Sequence, residues 1–500
     1  MSEISRRALL AAGAATALSA CGPRDRNAPP PTAPATLTPT GSSAGRVPWA
    51  QLGRHLDGTL VRPNDAAYDA ARAVENPRWQ ARPLAVARVA SAADVATALR
   101  FAQDNALEVA IRSGGHSYPG WSAGDGKLVL DCRGLDGLTW QGTSTTMGPG
   151  RLLADVYAGV AGRGRALPGG SCPTVGLGGL TLGGGVGVVT RAYGLTCDHL
   201  TAAEVVLPDG RILTTDEHDE PDLFWALRGG GGGHLGVTTS MTFSTVPAPM
   251  LTTTYLTWPS ARAEEVVPAW FAWMGAAPPE LWSTLKLLDG ASHPDGMSVG
   301  ATVTWVGDAS RFDTVLAPIL RTGPTGRYDH HRGFLEAMRA YAGGGSAPQP
   351  FAATSHIAYA AYAAPDATAI SDLVQLVEAC PRTIHEGGVS IDALGGAVAE
   401  VAADATAFVH REARATLQYT ATWTGNQTGN ESGSSLAATA DRFVHGLRAG
   451  MTPHLGDHAY VNYADASLHD AGTAYFGDNW PRLQQVRASY DPHQFFTQPQ

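Results

Sequence analysis

Two reactive side chains stand alone inside glycine-dense stretches of this 500-residue chain. His116 lies in "RSGGHSYPGWSAG", residues 112–124, and Cys172 lies in "PGGSCPTVGLGGLTLGGGVG", residues 168–187; neither stretch has a helical or strand period. Glycine lets backbone N–H groups approach a ligand without a Cβ in the way, and successive N–H groups make a concavity for anions. A third such block, "RGGGGGHLG", spans residues 228–236. Three such loops in one region imply a large ligand, and two of them present it with a single nucleophilic side chain.

Two familiar motifs fail on their flanks. Gly120, Trp121, Ser122, Ala123 and Gly124 match the G-x-S-x-G of serine hydrolases, but that motif needs a strand before it and a helix directly after it. Here Pro119 precedes and "GDGK" follows. Gly231, Gly233 and Gly236 fit G-x-G-x-x-G, yet they join a predicted helix to a predicted strand, the reverse of a dinucleotide loop. The chain has no phosphate-loop motif, no H-E-x-x-H and no metal-like cysteine spacing.

The elements that must position these loops are readable. "PLAVARVA", "LEVAIRSGG" and "KLVLDCRGL" have strand character, and Ser91 caps a helix over "AADVATALRFAQDNA". "EVVLPDGRILTT" is a hairpin around Asp209 and Gly210, "DLFWALR" a short helix, and "VTTSMTFSTV" an alternating strand. These make an α+β lobe over residues 49–248. Residues 249–449, poorer in glycine blocks and richer in tryptophan, make a second lobe, and the aromatic segment 450–500 docks back. Trp258, Trp270 and Trp305 could stack on sugars, although tryptophans at such positions are more often core.

Residues 1–21 read as a leader: Arg6 and Arg7, an apolar run from Ala8 to Ala20, then Cys21 in "LSAC". This resembles a twin-arginine signal with a lipobox, which implies export of a folded protein and a lipid anchor through Cys21. Residues 22–48, rich in Pro, Ser and Thr, are a tether. Of the remaining cysteines, Cys132, Cys172, Cys197 and Cys380, two can form a disulfide. A net charge of -10 argues against a nucleic-acid partner and for a small molecule.

The ordered set "RSGGHSY", "PGGSCPTVGLGGLTLGGGVG", "DLFWALRGGGGG", "YVNYAD" and "FGDNWPRLQQVRASYDPHQFF" resembles the berberine bridge enzyme-like FAD-linked oxidoreductases, from about Trp79 to Phe496. The resemblance implies an α+β chain with the PCMH-type FAD-binding fold of vanillyl-alcohol oxidase and a substrate domain built on an antiparallel sheet. It also implies FAD bonded twice, at the 8α-methyl through His116 and at C6 through Cys172. Imidazole and thiolate are nucleophilic enough near neutral pH to add to an electron-poor flavin.

Around the flavin the resemblance places Arg112, Ser113, Gly114, Gly115 and Ser117 from the first loop. From the second loop come Gly170, Val175, Gly176, Gly179, Gly183, Gly184 and Gly187. Gly236, Val237, Asn462 and Asn479 complete the set. Val175 stands where the family controls access of dioxygen, and a small residue there goes with oxidases. His234 and Leu235 depart from the Asn and Phe usual in the family.

On the catalytic side the resemblance implies hydride transfer to the flavin and loss of the hydroxyl proton to Tyr463 as base. A free tyrosine, with a pKa of about 10, is a poor base at neutral pH, so Asp392 is expected to assist. Gln418 and Tyr460 are further active-site candidates. The implied reaction is oxidation of a sugar or oligosaccharide to its lactone, with dioxygen reduced to hydrogen peroxide. Two other readings stay open: a tailoring oxidase acting on an alcohol or amine of a secondary metabolite, and a sugar-binding lipoprotein without the chemistry.

Overall fold

The computed structural model describes residues 47–343, 348–359, 366–424 and 431–498. The expected leader with Arg6, Arg7 and Cys21, and the tether up to residue 46, lie outside the described residues. A helix, Trp49–His55, opens the body where the Pro/Ser/Thr-rich composition ends.

β1 (Thr59–Val61), β2 (Ala85–Arg88), β3 (Val109–Arg112) and β4 (Leu128–Asp131) form a sheet in the order β1-β2-β4-β3, parallel across β2, β4 and β3. Parallel strands need a crossover, supplied by the helix Ala92–Asp104. The Ser91 hydroxyl accepts a hydrogen bond from the Asp94 N–H and starts that helix. Val95, Leu99 and Ala102 then bury against the sheet.

Next come β5 (Leu138–Gln141), β6 (Ser144–Met147), β7 (Arg165–Ala166), β8 (Leu200–Val206), β9 (Ile212–Thr215), β10 (Val237–Ser244) and β11 (Val246–Pro247). Five of them make an antiparallel sheet, β5-β6-β10-β8-β9, while β7 pairs with β11. The hairpin of β8 and β9 turns at Gly210, whose φ of +80° is a left-handed conformation that glycine adopts freely.

The second lobe is one antiparallel sheet of seven strands: β12 (Met250–Trp258), β13 (Leu281–Asp289), β14 (Ser298–Trp305), β15 (Gly326–Gly333), β16 (Phe351–Tyr359), β17 (Glu386–Ala393) and β18 (Ala413–Thr422). Their order is β15-β12-β14-β13-β17-β18-β16. Strand alternation divides its side chains. Leu285, Val299, Val303, Ile391 and Leu417 share the apolar face, which packs on the helices Ala263–Ala276, Ala367–Glu378 and Glu431–Leu455. Thr284, Lys286, Ser390, Asp392, Gln418 and Thr420 share the other face, which looks toward the first lobe.

One open choice is decided here and two sequence expectations change. Trp258, Trp270 and Trp305 are core residues whose indole N–H groups bond to Thr322, Ser283 and Asp308, so none is available to stack on a sugar. The helix Glu431–Leu455 runs through the expected 449/450 boundary, so the returning segment begins after Leu455. Cys132, Cys172, Cys197 and Cys380 are all free thiols, with no disulfide among the described residues. In the last segment Arg482 pairs with Asp222 at 2.8 Å, and Gln498 Nε2 donates to the Gly232 carbonyl at 2.6 Å.

Candidate active site

A cavity of about 990 Å³ lies between the lobes, at the upper end of what a cofactor site commonly encloses, about 300–1,000 Å³. The glycine loops form one side of it. A Cβ on Gly176 would lie 1.9 Å from Ser113 Oγ and 2.2 Å from the Gly114 nitrogen, and one on Gly114 would lie 2.3 Å from the Gly176 nitrogen. The loops holding His116 and Cys172 therefore touch backbone to backbone. His116 Nε2 bonds to Thr174 Oγ1 at 2.9 Å, two residues past Cys172, so both nucleophiles line one stretch of wall.

Cys172 differs from its fellows by exposure. Cys132, Cys197 and Cys380 are buried, and burial pushes their thiols up, to about 12 for Cys132 and Cys380. Cys172 is only half-buried and faces the cavity. Of the four, it alone combines access with a place in the wall.

The tyrosines of the returning segment line the same cavity. Val461–Tyr463 forms a 3-10 turn. Tyr463 Oη donates to Asp392 Oδ2 at 3.4 Å, and Asp392 is the penultimate residue of β17. Burial raises the Asp392 carboxyl above its ordinary value, with hydrogen bonds and the charge of Lys286 pulling the other way. Burial, aided by the Asp392 charge, drives the Tyr463 phenol well above 10. Tyr463 is thus a standing phenol, not a phenolate, and its proton points at a carboxylate made more basic by burial.

The neighbours fix Tyr463 in place. Its ring stacks on Tyr118 with centroids 5.8 Å apart and planes 3° from parallel, and Gln418 Nε2 donates to the Tyr118 hydroxyl. Tyr460 packs edge-on against it at 5.1 Å. The Tyr460 hydroxyl accepts from the Gly185 and Val186 N–H groups at 2.9 and 3.3 Å and from Asn462 Nδ2 at 3.0 Å. Tyr460 is pinned as a brace.

Most residues singled out from sequence line the cavity: Ser113, Gly114, Gly115, His116, Ser117, Gly170, Cys172, Val175, Gly176, Gly179, Gly187, Gly236, Asn462, Asp392, Gln418, Tyr460 and Tyr463. Five do not. Arg112 is buried behind the loop, bonded to Asp131 at 3.0 Å and to the Ala71 carbonyl at 2.6 Å. Gly183 makes room for the Asn462 side chain, and Gly184 for Phe408. Val237 lies between two lining residues, Gly236 and Thr238, so strand alternation turns it into the core. Asn479 bonds to the Ala403 and Thr406 carbonyls at 2.7 and 3.1 Å and braces a loop. His234 and Leu235 are also buried outside the wall, with His234 lowered to about 4 by desolvation. Tyr118, Thr284 and Lys286 are cavity residues that the sequence reading missed.

The comparisons with known proteins agree with this architecture. Residues 83–216 match a model described as FAD binding domain, and residues 459–500 match one described as berberine and berberine like. FAD-linked oxidoreductase YgaK of Bacillus subtilis is 32% identical over 88% of this chain and 96% of its own. Chitooligosaccharide oxidase of Gibberella zeae is 28% identical over 85% and 88%. The structure of glucooligosaccharide oxidase from Acremonium strictum, an enzyme with a 6-S-cysteinyl, 8α-N1-histidyl FAD, superposes with a TM-score of 0.79 at 26% identity, covering 90% of this chain and 98% of that one.

Fold and site together define a flavoprotein oxidoreductase with an FAD-binding lobe and a second lobe built on an antiparallel sheet. The chain belongs to the berberine bridge enzyme-like FAD-linked oxidoreductases. Its own wall suits the cofactor: nothing lies within 4 Å of where a Gly179 Cβ would project, and Thr238 Oγ1 is buried there without a hydrogen-bond partner.

Proposed function

We propose that the protein is an oxidase that carries FAD on both His116 and Cys172 and oxidises the anomeric hydroxyl of a sugar or oligosaccharide to the lactone. Bound FAD supplies a two-electron acceptor that dioxygen regenerates with release of hydrogen peroxide. The observation that carries the reading is the Tyr463–Asp392 contact at 3.4 Å, in the wall of the same cavity as His116 and Cys172.

Tyr463 Oη accepts the substrate hydroxyl proton as its own proton passes to Asp392 Oδ2. A concerted relay of this kind needs no free phenolate, which the raised Tyr463 pKa forbids at neutral pH. Asp392, held basic by burial, is the terminal acceptor. Gln418 and Tyr118 are positioning residues that keep the Tyr463 ring in plane. The oligosaccharide oxidases among the relatives support the substrate class. Export by the twin-arginine route, with anchoring at Cys21, belongs to the same proposal and rests on Arg6, Arg7 and "LSAC".

Two measurements test it. Denatured protein is expected to stay yellow, in His116→Ala and in Cys172→Ala singly, and to lose its colour only when both are changed. A colourless precipitate from the parent protein ends the covalent claim. Peroxide release is expected across a panel of mono- and oligosaccharides, and a panel on which only alcohols or amines react would overturn the sugar assignment.

A further inference from the structure

Lys286 projects from the middle of β13 into the cavity wall. Among the described residues its ammonium has no hydrogen bond and no carboxylate within ion-pair distance. Desolvation pulls its pKa down, and the charges of Asp392, Glu386 and Cys172 oppose this from further away. Asp392 is engaged by Tyr463, and Glu386 by His293 at 3.0 Å. A cationic group that lines a cavity without an anionic partner in its own chain attracts an anion, so a partner from outside the chain is the economical explanation.

The surroundings suit one anion. Directly across the strands Lys286 faces Ser390 on β17 and Gly300 on β14. Ser390 Oγ is buried and has no hydrogen-bond partner. The space over Gly300 holds the Tyr255 hydroxyl, 2.6 Å from where a Cβ would lie. The ammonium is thereby flanked by two hydroxyls, both able to donate.

We infer that Lys286, Ser390 and Tyr255 form a carboxylate subsite and that the substrate is an acidic sugar, with a uronic acid group seated on the lysine. The inference rests on the sugar oxidase reading. Asp392 is the diagonal neighbour of Lys286 across β13 and β17, about 7–8 Å away by sheet geometry. That separation places the carboxylate on the ring being oxidised or on the one beside it. It also selects a monoanion, since a phosphate dianion would carry one charge more than Lys286 balances, close to Asp392.

The test uses purified holoenzyme with two matched substrates, digalacturonate and galactobiose. We expect kcat/KM to favour digalacturonate at least tenfold, and Lys286→Gln to cut the acidic-to-neutral ratio at least tenfold, with Lys286→Arg recovering part of it. A wild-type preference for galactobiose, or a Lys286→Gln ratio equal to the parent's, overturns the subsite. If neither sugar is turned over, the sugar panel decides the oxidase reading separately, and binding decides the subsite. D-galacturonate is titrated against the visible flavin spectrum, where a saturable change weakened at least tenfold by Lys286→Gln supports the subsite. No change, or equal affinity in both proteins, ends it.

Discussion

The two walls of the cavity are built by opposite means. On the loop side backbone meets backbone, and Gly114 and Gly176 leave no room for a single added carbon. On the sheet side Thr284, Lys286, Ser390, Asp392, Gln418 and Thr420 contribute side chains carried at alternate positions of β13, β17 and β18. A wall of backbone fixes shape and tolerates no addition, whereas a wall of side chains sets chemistry and can be altered one group at a time. The loop side is therefore expected to fail as folding and cofactor loading, and the sheet side as turnover.

The sharpest break in that contrast lies within the loop side itself. Gly176→Val forces side-chain atoms into Ser113 and the Gly114 backbone, which cannot yield without parting the two loops. We expect a loss of about 3 kcal/mol or more, with little flavin retained. Gly179→Ala, three residues on in the short helix Leu177–Leu182, meets nothing within 4 Å. It is expected to hold or raise the melting temperature, because alanine favours a helix by about 0.5–1 kcal/mol over glycine, while shifting the flavin spectrum. Equal flavin content and melting temperature in Gly176→Val and the parent would remove the loop contact from the account.

At the Tyr463–Asp392 pair, one residue from the returning segment and one from the sheet, the effect moves to turnover. Tyr463→Phe is expected to lower kcat/KM by about 10²–10⁴-fold with flavin content unchanged. Asp392→Asn tests the relay through pH. Burial raises the folded-state pKa of Asp392 above the ordinary 3.8, so the folded protein binds more protons than the unfolded chain between those two values. Stability therefore falls as pH rises through that window, and Asn, which never ionises, is expected to be no less stable than Asp at pH 7. Activity behaves in the opposite sense, since the carboxylate is the working form. The parent's kcat/KM is expected to rise through the raised Asp392 pKa, and Asp392→Asn to be slow and without that limb. A variant that instead melts earlier at pH 7 would make Asp392 a structural residue.

The same division explains what could be read from the sequence. The glycine loops, His116, Cys172, the Ser91 cap and the hairpin at Gly210 are local, and local pattern is what a sequence displays. Lys286 and Thr284 are as regular in their own way, polar at alternate positions of "LWSTLKLLD". Which face of that strand looks into the cavity depends on how a seven-stranded sheet docks on another lobe, and no window of nine residues records it. Tyr118, two residues after His116, was within reach because it belongs to the same loop. The errors are of direction: Arg112 and Val237 adjoin lining residues, but a strand sends neighbours to opposite sides.

Asn479 gives the smallest and cleanest test, because it lies in the returning segment that also supplies Tyr463 yet contributes nothing to either wall. Its Nδ2 donates to two carbonyls, of Ala403 at 2.7 Å and Thr406 at 3.1 Å, in a loop of the second lobe. Asn479→Ala deprives both of that donor, which costs about 1–3 kcal/mol when the groups are buried. The melting temperature is expected to fall by a few degrees while flavin content, kcat/KM and the pH profile stay at parental values. The reverse pattern, a normal melting temperature with reduced flavin loading, would return Asn479 to the cofactor wall and erase the boundary drawn between the residues that hold the tail in place and those that act in the cavity.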